Sequence, residues 1–292
     1  MSNKICLFTV IYPGCEPWLP RFFESVCDQT RDDFDLMILN DGLTDAENLI
    51  PDIPDRIKLI PITGTIAKVR QQGIELLIDS DYKKIIFADA DDYFSKNRVE
   101  KASDVLESVD IYVNDLTTVT DQEKLIAKNY FSHRLGKQFE IETDFILRKN
   151  IIGLGNSAVR QSALRKINIP EDTIAVDWLI FTDMLLCGSS ALFRNDSVSY
   201  YRQHDENTAG LQSITPEKIR HSLKVQIQNA SYFSERSQPH REWHSKLLSL
   251  DSVIYDNEFS LTKNLQKLHS VLPSHPFWWE EIQYLNEITH NS

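Results

Sequence analysis

Three carboxylates crowd the end of one apolar run: Ile85-Ile86-Phe87-Ala88 passes directly into Asp89-Ala90-Asp91-Asp92. Carboxylates this close repel and raise one another's pKa. A divalent cation relieves that repulsion, and Mg²⁺ typically takes one or two carboxylates together with substrate phosphates. The competing reading is structural, a solvated acidic turn leading into the next helix with Ser95 as its N-cap. A DxDD string alone does not separate the two, because short motifs recur by chance.

Other candidate positions sit at similar places in the chain. The first apolar run ends in Thr9-Val10-Ile11-Tyr12-Pro13-Gly14, a turn-rich tip carrying a hydroxyl. A second run ends in Asn40-Asp41-Gly42, residues that turns also favour for backbone reasons alone. Arg70 lies at the edge of an apolar helix face between Ile66 and Ile74. Such an arginine either snorkels its head into water or reaches a bound anion or base edge.

Strands that deliver these tips to one edge are legible from the apolar pattern. Lys4–Ile11, Leu36–Leu39, Ile57–Ile60, Ile85–Ala88 and Ile111–Asn114 read as strands; Trp18–Cys27, Thr65–Ile78 and Asn97–Val109 read as helices between them. Strands separated by helices argue βαβ units and a mostly parallel sheet. Ligands bind outside the C-terminal ends of such strands.

Beyond residue 115 the pattern changes. Glu140–Asn150 and Ser157–Ile167 read as helices, and Val176–Cys187, apolar nearly all round, as a buried one. Ala191–Phe193 and Val198–Arg202 read as strands. Helices are expected over 216–233, 242–250, 259–271 and 277–288, broken by Pro239, Pro273 and Pro276. The domain reading is an α/β unit over 1–212, split near 115 into two halves, with a helical region over 213–292.

Composition narrows the classes. The formal charge of −12, from 31 basic and 43 acidic residues, opposes nonspecific nucleic-acid binding, which needs a basic footprint. No apolar stretch approaches the roughly 18 residues of a transmembrane helix. Cys6, Cys15, Cys27 and Cys187 lack CxxC spacing and read as reduced thiols of a cytoplasmic protein.

Four motifs in order then carry a family resemblance. Trp18-Leu19-Pro20-Arg21-Phe22-Phe23-Glu24-Ser25-Val26-Cys27-Asp28-Gln29-Thr30 resembles the YLxxxLESVxxQT signature of family 2 glycosyltransferases. Asn40-Asp41-Gly42-Leu43-Thr44-Asp45 resembles its DDGSTD, Gly64–Ile74 its GxxxARNxGI helix, and Asp89-Ala90-Asp91-Asp92 its DxDD segment. More loosely, Gly153-Leu154-Gly155-Asn156-Ser157 resembles an acceptor-side segment, Val176-Asp177-Trp178 the place of an ED pair, and Tyr200-Tyr201-Arg202-Gln203-His204 a YRxH ending. The resemblance covers about residues 5–210.

The resemblance implies a GT-A fold: a Rossmann-like, mostly parallel sheet flanked by helices. It also implies an inverting transferase using Mn²⁺ or Mg²⁺, a nucleotide-sugar donor, expected to be UDP-linked, and a glycan or lipid-linked acceptor in surface polysaccharide or glycoconjugate assembly. By residue, it implies donor contacts at Thr9, Tyr12, Glu16, Asp41, Arg70, Asp89, Ala90 and Arg202. Metal contacts fall to Asp91, Asp89 and His204, acceptor contacts to Asn156 and Trp178, and the base to Asp177. Glu171 and Asp172 compete for that last role, and an Asp at a helix start is also an ordinary cap. A loop over 204–210 is expected to close over the donor. The helical C-terminus is compatible with a homodimer or with contact at the inner membrane face.

The departures are Asn40 for the first Asp of the pair, Gln71 after Arg70, and Pro13-Gly14-Cys15 at the first tip. Rivals are a catalytically inactive binding module of the same fold and a phosphatase of haloacid dehalogenase type, which would place its DxD after the first strand. A nucleotidylyltransferase would need a Gly-rich phosphate loop after the first strand, which Tyr12-Pro13-Gly14-Cys15 does not supply.

Overall fold

The computed structural model describes residues 4–51, 56–204, 214–256 and 258–290. Its strands are β1 (Ile5–Ile11), β2 (Phe34–Asp41), β3 (Ile57–Ile62), β4 (Lys84–Phe87), β5 (Tyr93–Phe94), β6 (Ile111–Thr120), β7 (Leu125–Ala127), β8 (Gln138–Glu140), β9 (Ser157–Arg160) and β10 (Ala191–Gln203). They join in one sheet ordered β3-β2-β1-β4-β9-β6-β10-β5, with β7 beside β6 and β8 beside β10. The helices are α1 (Leu19–Cys27), α2 (Ile66–Ile78), α3 (Arg98–Val105), α4 (Ser132–Leu135), α5 (Val176–Leu186), α6 (Pro216–Phe233), α7 (Gln238–Asp256), α8 (Glu258–Val271) and α9 (Glu281–His290).

β1 is buried along its whole length and pairs in parallel with β2 on one side and β4 on the other. A strand covered on both faces must be a continuous apolar run, which Ile5–Ile11 is. The chain builds β1, β2 and β3 outward, then α2 returns it to β4 across β1. That reversal opens a crevice at the C-terminal ends of β1 and β4. Thr65 caps α2 by accepting the Lys68 backbone N–H, so the helix carrying Arg70 starts at a fixed place.

The second half departs from the periodicity in three places. Residues 141–150 form turns rather than a helix, and Ser157–Ile167 begins with β9, antiparallel between β4 and β6. The two expected strands after 190 are one, β10, with an irregularity between Arg194 and Val198. Pro239 does not break α7, because it occupies the first turn, where its missing N–H costs nothing. The expected helix over 277–288 starts only at Glu281, after Trp279 adopts a left-handed φ of +67°.

α6, α7, α8 and α9 share a core built on Ile219, Leu223, Trp243, Leu247, Leu250, Leu268, Ile282 and Leu285. They are not detached, since Val225 and Phe233 of α6 and Phe277-Trp278-Trp279 belong to the core under the sheet. Trp278 exchanges two backbone hydrogen bonds with Asn150, at 2.9 and 3.1 Å. The Arg134 guanidinium donates to both carboxylate oxygens of buried Glu280, at 2.5 and 3.0 Å. The boundary expected at 212–213 and most of the 204–210 loop lie outside the described residues.

Candidate active site

A cavity of about 480 Å³ opens at the switch point. Val10 near the end of β1, Tyr12 just after it, Asp41 at the end of β2, and Ile66, Val69 and Arg70 of α2 line it. Asp89, Ala90, Asp91 and Asp92 follow β4. The Gly153–Asn156 turn, Ile174–Asp177, Tyr201, His204, Trp278 and Trp279 complete the wall.

Each carboxylate of the acidic run has its own partner. Arg70 Nη2 donates to Asp89 Oδ1 at 3.0 Å, and His204 Nε2 lies 3.0 Å from Asp91 Oδ2. Asp92 accepts the Arg202 backbone N–H at 2.9 Å. Burial raises the Asp89 carboxyl above its ordinary range, opposed by Arg70, and raises Asp92 further, with Asp91 and Asp89 adding to the shift. The turn at Gly155 presses on this cluster. A Cβ there would lie 2.7 Å from Asp89 Oδ2 and 3.0 Å from Asp92 Oδ2, so only glycine fits.

Beneath the cluster, Arg98 is wholly buried. It donates to the Phe87 carbonyl at 2.6 Å and to Asn114 Oδ1 at 2.8 Å, which ties the end of β4 to β6. Above it, the His204 ring stacks on Trp18 with centroids 4.4 Å apart. The Trp18 indole in turn donates to Asp121 at 2.8 Å.

Asp177 stands in the first turn of α5 and lines the same cavity, and its Oδ1 accepts the Trp178 backbone N–H at 2.7 Å. That bond is a capping interaction, yet the carboxylate also faces the cavity. Desolvation pushes its pKa up to about 6, and the Asp89 charge adds to the rise. Glu171 and Asp172 are exposed and stand outside the cavity lining.

Tyr12, Asp41, Arg70, Asp89, Ala90, Asp91, Asn156, Asp177 and His204 thus come together. Thr9 does not, being fully buried within β1 and away from the cavity. Glu16 turns back to accept the Gly14 N–H at 2.6 Å. Arg202 is buried behind the cluster and donates to the carbonyls of Asp91 at 2.9 Å and Asp121 at 2.7 Å, so it positions the acids rather than facing a ligand. Trp178 is also buried, with its indole on the Ile146 carbonyl at 2.8 Å; on a helix buried all round, it falls on the core side. Asn156 reaches the wall, but its amide is committed to the carbonyls of Asn114 and Ile151 and to the Gly153 N–H. Trp18, Tyr201, Trp278 and Trp279 were not among the expected site residues, although Trp18 opens the first family motif and Tyr201 sits beside Arg202 in the YRxH segment.

Among the described residues no three His, Cys, Asp or Glu side chains form a preformed metal cage. A Mg²⁺ or Mn²⁺ site completed by substrate phosphates does not require one. Asp91 with His204, both on the cavity wall, is a donor pair that fits it. No helix among the described residues is long and apolar enough to cross a membrane.

The chain matches no curated protein sequence. It is similar in fold to S. aureus TarS residues 1–349, with a TM-score of 0.53 at 17% identity over 77% of this chain and 66% of that one. For the same TarS fragment in complex with UDP-GlcNAc the values are 0.55, 16%, 77% and 67%. For the longer TarS structure they are 0.57, 16%, 84% and 42%, so this chain spans well under half of that protein. The model of glycosyl transferase family 2 matches residues 6–168, more than half of the 292. Motifs, switch-point cavity and family match agree, and the chain belongs to glycosyl transferase family 2.

Proposed function

We propose that the protein is an inverting, metal-dependent glycosyltransferase that moves a sugar from a UDP-linked donor to a hydroxyl of a glycan or lipid-linked acceptor. The observation carrying the reading is that one cavity joins a carboxylate poised as a base, Asp177, to the Arg70–Asp89 and His204–Asp91 pairs. The complex of structurally similar TarS with UDP-GlcNAc supports the choice of donor.

In this reading Asp41 and Arg70 contact the nucleotide base, Tyr12 and Ala90 border the donor, and Asp89 holds the ribose side. Asp91 and His204 would hold Mn²⁺ or Mg²⁺, which when bound offsets charge developing on the leaving diphosphate. Asp177 accepts the acceptor hydroxyl proton as that oxygen forms its bond to the anomeric carbon. The bond from that carbon to the diphosphate breaks on the opposite face, and its electron pair leaves with UDP. A pKa of about 6 leaves Asp177 ionised at neutral pH and closer to the operating pH than an ordinary carboxylate. An acidic cluster placed after β4 rather than after the first strand disfavours the phosphatase reading.

Thiols without a disulfide among the described residues fit action in the cytoplasm, or at the inner face of the membrane. The test is a thermal-shift screen of UDP, GDP and their sugar conjugates with and without Mn²⁺. A metal-dependent shift with UDP is expected. No shift with any nucleotide would overturn the reading.

A further inference from the structure

The cavity has a wall that the family match does not reach. Trp278 and Trp279 lie more than a hundred residues beyond the matched segment, yet both line it. In an extended chain neighbouring side chains point to opposite faces. Here the left-handed φ of +67° at Trp279 breaks that alternation, and both indoles border one space. A bulky aromatic residue in this region is strained, and such strain persists only where surrounding contacts enforce it.

Those contacts are numerous. The two backbone hydrogen bonds with Asn150 fix Trp278, and Gln226 Nε2 donates to the Trp279 carbonyl at 2.7 Å. The Trp278 ring packs edge-on against Phe131 and Tyr201, with centroids 5.4 and 5.8 Å away. Gly153 touches it so closely that a Cβ would lie 3.0 Å from Cη2. Trp278 is 8% exposed, and its indole N–H is buried with no hydrogen-bond partner. A buried donor left unpaired is costly, so tight packing holds this ring in place at a cost that the surrounding contacts offset.

We propose that Trp278 and Trp279 form the acceptor subsite and that the acceptor presents a pyranose ring to them. This rests on the transferase reading above. Tyr12, Asp41 and Arg70 line the part of the cavity assigned above to the nucleotide, whereas Trp278 packs on Gly153, and Ile174–Asp177 line the same cavity. Indole faces carry negative charge density that attracts the polarised C–H groups of a pyranose. An open-chain polyol phosphate offers no such flat apolar face.

The test uses the intact protein with UDP and Mg²⁺, probed by saturation-transfer NMR with methyl β-glucopyranoside, methyl β-galactopyranoside, methyl N-acetyl-β-glucosaminide and ribitol 5-phosphate. At least one glycoside should receive saturation, concentrated on C–H protons of one ring face, and ribitol 5-phosphate should not. Trp279→Ala should weaken glycoside binding about tenfold, and Trp279→Phe should largely retain it. Trp278→Phe, which keeps a ring and removes the N–H, should weaken it less than Trp279→Ala. The UDP thermal shift, measured on every variant, confirms folding and reports the donor side separately. Saturation of ribitol 5-phosphate alone, saturation of none of the probes, or unchanged glycoside binding in Trp279→Ala would overturn the acceptor assignment while a UDP shift left the transferase reading standing.

Discussion

Gly155 and Asp89 are in contact through space that only a hydrogen can fill: a Cβ on the glycine would stand 2.7 Å from Asp89 Oδ2. The carboxylate therefore takes its place against bare backbone, held on its other oxygen by Arg70. Gly155→Ala must displace Asp89 or the turn. We expect a loss of metal-dependent UDP affinity of about tenfold or more, read by calorimetry, with the secondary structure intact by circular dichroism.

Asp177→Asn keeps an oxygen for the Trp178 N–H but cannot accept a proton. Transfer should fall by about 10²-fold or more while UDP binding stays within twofold. In the parent enzyme kcat/KM should drop tenfold per pH unit below about 6 as the base protonates.

The same residue links function to stability. Its folded pKa is raised from 3.8, so the cost of its charge is absent below that value and fully present above about 6. The parent should lose stability, on the order of 3 kcal/mol from this group, as pH rises between those values. Asp177→Asn should therefore raise Tm at pH 7 and leave it nearly unchanged at pH 3.5. An equal shift at both pH values would show that the carboxylate is not the cause.

His204 Nε2 lies 3.0 Å from Asp91 and its ring rests on Trp18. Removing divalent cations with EDTA should abolish the UDP thermal shift, and Mn²⁺ or Mg²⁺ should restore it. His204→Ala should raise the Mn²⁺ concentration needed for half-restoration by about tenfold.

Glu280 is almost wholly buried and is held by both guanidinium nitrogens of Arg134. Arg134→Met would leave that charge to the Lys149 ammonium at 3.7 Å and the Phe277 N–H at 3.0 Å, and should cost about 3 kcal/mol in urea unfolding. Pairing it with Glu280→Gln should recover part of the loss, because the buried charge disappears with its partner.

Much of this site was legible before any coordinates, because its first half obeys simple rules. β1, β2 and β4 are apolar runs whose polar tips must emerge at one edge, and α2 carries Arg70 on the border of an unambiguous apolar face. The second half obeyed them less. Ile141, Phe145 and Ile146 have helical spacing, yet neighbouring elements bury Ile141 and Ile146 and half-bury Phe145 while the backbone turns. Ser157–Arg160 is too short for periodicity to distinguish a strand from a helix start. Trp178 follows Asp177 in sequence but is buried in the core, since α5 is apolar all round and gives no sign of which side meets the cavity. A positive φ at a tryptophan has no sequence signature, so the Trp278–Trp279 wall could only be found in three dimensions.

The two-rung ladder between Asn150 and Trp278 has a consequence for how the protein is made. During synthesis the sheet, the acidic cluster and Asp177 can all emerge from the ribosome long before residue 278 does. Until it arrives the cavity lacks a wall, and a growing chain is an unfinished enzyme. A truncation just before residue 278 would inherit that unfinished state permanently.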